Sequence, residues 1–309
     1  LDITSCSFDK LSYSKLFRNY VNEFHTLESL YEFDPHKISE IRRRADSISP
    51  SIDKDKFVQA LSSYHSLMGI EESQNKVLDK FLQKDALVII TGQQLGVFGG
   101  PLFTIFKTIT AIQLAKKYEA ELNRPVVPVF WLADEDHDFE EISWTGLIGR
   151  DDFSKVELSQ NGMGIPVSEE VITSDIQVFN DQVKEILFET DFSDELWKLL
   201  NQYYIEGNTH LEAFAGLMNE LFDENGILIA GSDFFQIKEL LADDLKLSIK
   251  NADRIYNAIE TQSVKIEDKF HRQVLNGDSN LFYLDEDRKR IKIHKNGDVW
   301  IADSKEWQT

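Results

Sequence analysis

A single cysteine, Cys6, stands in a chain of 309 residues, so no internal disulfide framework and no cysteine-rich zinc site can form, which suits a reducing compartment. No apolar run approaches the roughly 18 residues a membrane span needs. The opening Leu1-Asp2-Ile3-Thr4-Ser5-Cys6 has neither the basic stretch nor the apolar one that directs secretion. No membrane association is expected, and the cytoplasm is the expected location. Positive charge is scarce: 33 Lys and Arg against 54 Asp and Glu give a formal charge of −21, with no run of five basic residues. Such a chain repels nucleic-acid phosphates and anionic lipid, which excludes nucleic acid and leaves small molecules as the expected partners. Internal repeats and low-complexity segments are also missing. With 42% hydrophobic and 28% charged residues, what remains is an ordinary globular composition, long enough for roughly two domains.

Residues 1–84 read as a helical N-terminal segment, with Phe57, Leu61, Tyr64 and Met68, then Val77, Leu78, Phe81 and Leu82, at helical spacing. Ser49-Pro50-Ser51-Ile52-Asp53 breaks the pattern with turn chemistry, and a Ser or Asp there suits the cap of the next helix. The organisation changes over residues 85–150. Ala86-Leu87-Val88-Ile89-Ile90 has the continuous apolar character of a strand buried on both faces. Glycines follow at 92, 96, 99 and 100, and Pro101 opens an amphipathic helix carrying Leu102, Ile105, Phe106, Ile109 and Ile112. Residues 125–132 form the next strand. Strand, helix and strand make the first βαβ half of a parallel, Rossmann-like α/β sheet. Residues 151–225 read as a connecting insertion, irregular and short-stranded to Val171 and helical from Ile176. In 226–309 the core resumes at Gly226-Ile227-Leu228-Ile229-Ala230-Gly231, which ends in Ser232-Asp233. Helix follows from Gln236 to about Lys269, then a hairpin around Asp285-Glu286-Asp287.

Two constellations lie just beyond strand carboxyl ends, where open parallel sheets bind ligands. The first runs from Thr91 to Thr104. Its glycines permit close backbone approach, and the following helix start offers N–H groups and a positive dipole end to a phosphate or carboxylate. From Thr91 to Tyr118 there is no acidic residue, but there are three lysines, Lys107, Lys116 and Lys117. The spacing matches neither GxxxxGK[ST] nor GxGxxG, and a tight strand-to-helix turn explains the glycines equally well. The second is Asp134-Glu135-Asp136-His137-Asp138-Phe139-Glu140-Glu141, after the second strand. Most acidic runs are solvated faces, but carboxylates beside an imidazole can also tune proton transfer or hold Mg²⁺. A calcium loop fails, because Phe139 stands where glycine is required. Zinc fails too, because His137 has no His or Cys at ligand spacing.

Thr91-Gly92-Gln93-Gln94 through Gly100-Pro101-Leu102-Phe103-Thr104-Ile105-Phe106-Lys107, followed by Pro128-Val129-Phe130-Trp131-Leu132-Ala133-Asp134-Glu135-Asp136-His137-Asp138-Phe139, closely resembles the bacillithiol cysteine-adding enzymes. The resemblance extends through Asn280-Leu281-Phe282-Tyr283-Leu284 over essentially the whole chain. It implies a Rossmann-like core related to class I aminoacyl-tRNA synthetases and a ligase that joins the carboxyl of L-cysteine to the amine of glucosaminyl malate as an amide. ATP is the implied cosubstrate, because a carboxylate must be activated before an amine attacks it. The implied binding set is Thr91, Gly92, Gln93, Gln94, Gly99, Gly100, Thr104 and Lys107, with Asp233. The implied catalytic set is His137 as proton-transfer group, Asp136 or Asp138 orienting it, and Asp134. Mg²⁺ at Asp134 and Asp136 is the candidate metal, with no zinc. Members of the family are considerably longer, with a coiled coil that builds a homodimer. That coiled coil is not in this chain, which is expected to be a fragment and monomeric. Alternative readings are a nucleotidyltransferase-like ligase acting on another small carboxylate, and a binding or assembly module without turnover.

Overall fold

The computed structural model describes residues 6–49, 52–149, 152–277 and 279–308. In chain order they form α1 (Lys15–Asn22), α2 (Ile38–Ser47), α3 (Lys54–Leu67), α4 (Glu71–Leu82), β1 (Leu87–Gln93), α5 (Phe103–Leu122), β2 (Val126–Leu132) and α6 (Phe139–Ile142). Then come β3 (Trp144–Ile148), β4 (Phe153–Glu157), α7 (Asp175–Ile186), α8 (Ser193–Tyr203), α9 (His210–Phe222), β5 (Leu228–Gly231) and α10 (Phe235–Leu240). The chain closes with α11 (Ala242–Lys250), α12 (Ala252–Glu267), β6 (Phe282–Leu284), β7 (Arg290–Lys292), β8 (His294–Asn296), β9 (Val299–Ala302) and β10 (Lys305–Gln308). Among these residues no helix is long and apolar enough to cross a membrane.

Two compact units result, one of residues 1–50, 244–283 and 292–309, the other of residues 51–243 and 284–291. The first holds α1, α2 and α12, together with a three-stranded sheet in the order β10-β9-β8. That sheet was not read from the sequence, because strands of three or four residues are too short to show a period.

The second unit is built on a parallel sheet in the order β1-β2-β5. Leu87 to Gln93 pair in register with Val126 to Leu132, and Val129 to Leu132 with Leu228 to Gly231. β2 and β5 are apolar and almost wholly buried, as strands covered on both faces must be. α5 lays Thr104, Thr108, Ala111, Ile112 and Ala115 inward. Tyr64, Leu61, Val77 and Leu78 join Phe130, Leu132 and Ile229 in one core, so α3 and α4 belong with the sheet and the helical segment before residue 84 divides near residue 50. Asp53 caps α3, its carboxylate accepting from Asp55 N and Lys56 N. Pro50 and Ser51 of the expected turn, and Asp151 at the start of the expected insertion, lie outside the described residues. In the insertion, β3 and β4 pair antiparallel, and Phe179, Val183, Tyr204 and Leu217 of α7 to α9 form a second core cluster.

Two boundaries differ from expectation. β1 runs on through Thr91, Gly92 and Gln93, against the expectation of a loop there. Gly92 is required there because a Cβ would lie 2.5 Å from Trp131 O on the neighbouring strand. α5 begins at Phe103 and not at Pro101, although helical bonding reaches back through Thr104 N to Pro101 O at 2.8 Å.

Candidate functional site

Beyond β2 the chain turns at Asp134, whose side chain is fully buried. Its Oδ2 accepts from the Tyr64 hydroxyl, and its Oδ1 accepts from Ser232 N and Asp233 N, both at 3.2 Å. The carboxylate thus ties the ends of β2 and β5 to α3. Gly231 makes room for it, since a Cβ there would stand 2.1 Å from Asp134 Oδ2. Burial pushes the Asp134 carboxyl up to about 6 against the pull of its hydrogen bonds, and burial beside that carboxylate holds the Tyr64 hydroxyl well above its ordinary value. The expectation that Asp134 faces a ligand cleft is therefore corrected: with its oxygens engaged inside the core, it serves the fold. The proposed Mg²⁺ pair of Asp134 and Asp136 does not fit this geometry. Among the described residues no group of three or more His, Cys, Asp or Glu is placed to hold a metal.

Asp233 is a second internal anchor, its side chain only 2% exposed. It accepts from Ser168 Oγ, from Lys238 Nζ at 2.6 Å, and from Arg288 on the β6–β7 hairpin tip at 3.0 and 3.2 Å. Burial raises this carboxyl, but Lys238, Ser168 and Arg288 together hold it below the usual carboxylate value. Lys238 also reaches Glu135 at 3.0 Å, and Arg288 reaches Glu169 at 2.8 Å. Contrary to the expectation that Asp233 binds a ligand, its oxygens are spent on this network, which fastens the hairpin tip over the strand ends.

An open cleft of about 1260 Å³ lies beside the β2 end, lined among others by Gln94, Asp136, His137, Glu141, Lys155 and Arg290. Asp136 Oδ2 accepts from Gln94 Nε2 at 2.8 Å and Oδ1 from His137 N at 2.8 Å. Burial works against its ionised form, but Gln94, the backbone N–H groups and the charge of Arg290 outweigh it and keep the carboxyl low. The second N–H of Gln94 goes to Glu141. The His137 ring stands between two carbonyl oxygens, Nδ1 2.9 Å from Glu135 O and Nε2 2.9 Å from Arg288 O. Neither Asp136 nor Asp138 orients the ring, contrary to expectation: Asp136 turns to backbone N–H groups, and Asp138 caps α6 through Glu141 N at 3.2 Å. Short carboxylates beside a turn find adjacent N–H groups sooner than a neighbouring side chain.

Of the first constellation only Gln94 lines this cleft; Thr91, Gly92, Gln93, Gly99, Gly100, Thr104 and Lys107 do not. Three of the glycine N–H groups of the loop are already engaged within it. Gly96 N bonds Gln94 O, Gly100 N bonds Val97 O, and Gly99 N bonds the hydroxyl of Tyr204, which donates in turn to Gly96 O at 3.1 Å. Gly99 and Gly100 have φ of +85° and +70°, so the glycines serve the turn itself. Lys107 Nζ donates to Gly92 O and Gln93 Oε1, both at 2.7 Å. Thr104 Oγ1 at the α5 start is buried without a partner. Sequence reading missed Tyr64, Ser168, Tyr204, Lys238 and Arg288, which become site residues only once distant segments meet.

The family model described as bacillithiol biosynthesis BshC, N-terminal Rossmann-like domain, matches residues 1–309. Curated relatives carrying the name "putative cysteine ligase BshC" include one from Oceanobacillus iheyensis, 29% identical over 299 residues, covering 93% of this chain and 54% of the relative. Another, from Salinibacter ruber, is 29% identical over 282 residues, covering 89% of this chain and 51% of the relative. A third, from Shouchella clausii, is 30% identical over 236 residues, covering 75% and 44%. The chain spans about half the length of these relatives. With a Rossmann-like parallel sheet carrying both motif blocks at its strand ends, the chain belongs to the BshC family of bacillithiol biosynthesis, in the region of that family's N-terminal Rossmann-like domain.

Proposed function

We propose that the full-length protein is an ATP-dependent ligase that forms an amide between the carboxyl of L-cysteine and the amine of glucosaminyl malate, and that the cleft beside the β2 end holds the reacting amine. The match of the family model over the whole chain carries this reading. The cleft supports it by its charge: Asp136, Asp138, Glu140, Glu141 and Glu157 outnumber Lys155 and Arg290, which favours an ammonium group over an anion. Forming the amide requires loss of a proton from the attacking amine. For His137 to take it, Nε2 must be the unprotonated nitrogen of a neutral ring whose Nδ1–H donates to Glu135 O, and a movement of the hairpin tip that carries Arg288 O away would open Nε2 to the amine. Nucleotide fits less directly, since the Gly96, Gly99 and Gly100 N–H groups are engaged within their loop. The buried, unpartnered Thr104 hydroxyl at the start of α5 is the polar group that suits a phosphate oxygen.

Purified full-length protein incubated with cysteine, glucosaminyl malate and ATP, and followed by mass spectrometry, tests the reading. Appearance of the amide product with consumption of ATP supports it. Nucleotide consumption with a different carboxylate, or ligand binding without product, would replace it with a related ligase or with a binding module.

A further inference from the structure

The open cleft has an acidic part and an uncharged one. Asp136, Asp138, Glu140, Glu141 and Glu157 line the first, whereas Gln160, Asn161, Gly162 and Gly164 bring no charge to the lining. Residues 159–168 hold no charged side chain at all, in a chain where 28% of residues are charged. They belong to a compact loop between β4 and α7 whose neck is closed by one side chain. Gln160 Nε2 donates to Val171 O at 2.8 Å, and its Oε1 accepts from Thr173 N at 3.1 Å. Val167 N donates to Asp136 O at 2.7 Å and Ser168 N to Asp134 O at 3.3 Å, so the loop is strapped to the turn that carries His137. Gly162 lies against Phe139, where a Cβ would stand 2.5 Å from Phe139 Cβ. Surface loops of this kind, closed at the neck and filled by their own side chains, are frequently functional.

The side chain that fills this loop is Glu170, which is fully buried. Its Oε1 accepts from Met163 N at 2.6 Å, the Gly164 N–H bonds the same carboxyl, and its backbone carbonyl accepts from His210 N at 2.9 Å. Burial holds the carboxyl above its ordinary value against the pull of those N–H groups. An apolar side chain would fill the space without the cost of burying an acid, but it could not accept from Met163 and Gly164. Two glycines within three residues lose much freedom on ordering, so the backbone of residues 162–164 keeps one shape because Glu170 grips it. What that backbone and the Asn161 amide offer the cleft are groups that both donate and accept, as hydroxyls require, and that do not compete with Asp136 and Glu141 for an ammonium group. We propose that residues 161–164 form the subsite for the hydroxyls of the sugar that bears the reacting amine, and that Glu170 is the positioning residue that holds this wall in shape. The proposal rests on the reading of the cleft as the amine site.

Steady-state kinetics of the full-length protein test it with three variants. Asn161→Ala, at an exposed position that leaves the fold alone, should raise KM for glucosaminyl malate by about tenfold, as loss of one hydrogen bond does, with kcat and the KM values for cysteine and ATP within about threefold of the native protein. Glu170→Ala should show the same split, and Glu170→Gln, which keeps an acceptor for Met163 N, should return KM to within about threefold of native. Free glucosamine should compete about tenfold less well in Asn161→Ala while free malate competes equally; the reverse would give the wall to the malyl end and overturn the subsite. An unchanged KM in Asn161→Ala overturns it too. Glu170→Ala that raises all three KM values alike, or Glu170→Gln as damaging as Glu170→Ala, overturns the positioning role. Calorimetric titration with glucosaminyl malate separates this from the proposed reaction. Binding that weakens about tenfold in Asn161→Ala without any product keeps the subsite and removes the reaction, whereas product formed with equal binding in both proteins keeps the reaction and removes the subsite.

Discussion

The hydroxyl of Tyr64, on α3, donates to the carboxylate of Asp134 at the end of β2, 70 residues further along the chain. With Ser232 N and Asp233 N on the other oxygen, this bond joins three segments of the sheet unit through one buried acid. The acid's folded-state value of about 6 lies above the ordinary 3.8, so the native state holds the proton more tightly than the unfolded chain does. Its contribution to stability is full below pH 3.8 and is lost as pH rises through about 6. The loss amounts to on the order of 3 kcal/mol. Asp134→Asn should therefore gain on the native protein between pH 4 and 7 by up to roughly that amount in urea unfolding. A constant difference across that range would show that Asp134 is not titrating in the core.

Glycine substitutions should separate close approach from backbone conformation. Gly231→Ala drives a methyl group into Asp134 Oδ2 at 2.1 Å and meets the Tyr64 hydroxyl at 3.1 Å, so it should cost about 3 kcal/mol or more. Gly100→Ala meets nothing nearer than 3.7 Å and pays only for its backbone, which at φ +70° and ψ −154° is nearly confined to glycine, about 1–3 kcal/mol. Thermal unfolding of the two variants should rank them in that order; the reverse ranking would contradict the packing at the β5 end.

Gln94 separates two carboxylates by donating one N–H to each, Asp136 and Glu141. Gln94→Glu replaces the shared donor by a third negative charge, with an expected cost of about 1–3 kcal/mol at pH 7 that shrinks as pH falls into the carboxylate range. Chemical denaturation at pH 7 and pH 4.5 measures it. A cost independent of pH would mean that the three side chains do not share one site.

For His137 the discriminating substitution is His137→Gln in the full-length protein, which keeps a hydrogen-bonding side chain and removes titration. If Nε2 releases Arg288 O to take the amine's proton, turnover falls by on the order of a hundredfold with KM little changed. A fall below about tenfold with the pH profile intact would make the ring a brace for the hairpin tip, and the base would be sought among the cleft carboxylates.

Much of the second unit was legible because periodicity is local. The apolar runs from residues 86, 126 and 227 became β1, β2 and β5, and the spacing of Leu61 and Tyr64 placed α3 face-in. The short strands β8, β9 and β10 left no such trace. Charge patterns were less informative than position. Asp134, Asp136 and Asp138 read as one acidic cluster, yet one is buried in the core, one braces Gln94 and one caps α6.

The α/β class, the parallel βαβ unit, the absence of disulfides and the two motif blocks that mark the family were readable from the amino acids, because each depends on neighbours along the chain or on residue identity alone. Folding alone settled which carboxylates are internal, that Arg288 lies over Asp233 and its carbonyl on His137, and that Tyr204 occupies the glycine turn. The reason is one of separation. Those groups lie from 55 to 151 residues apart along the chain, and their hydrogen bonds and burial come into being only when the strands pair and carry them to the same end of the sheet.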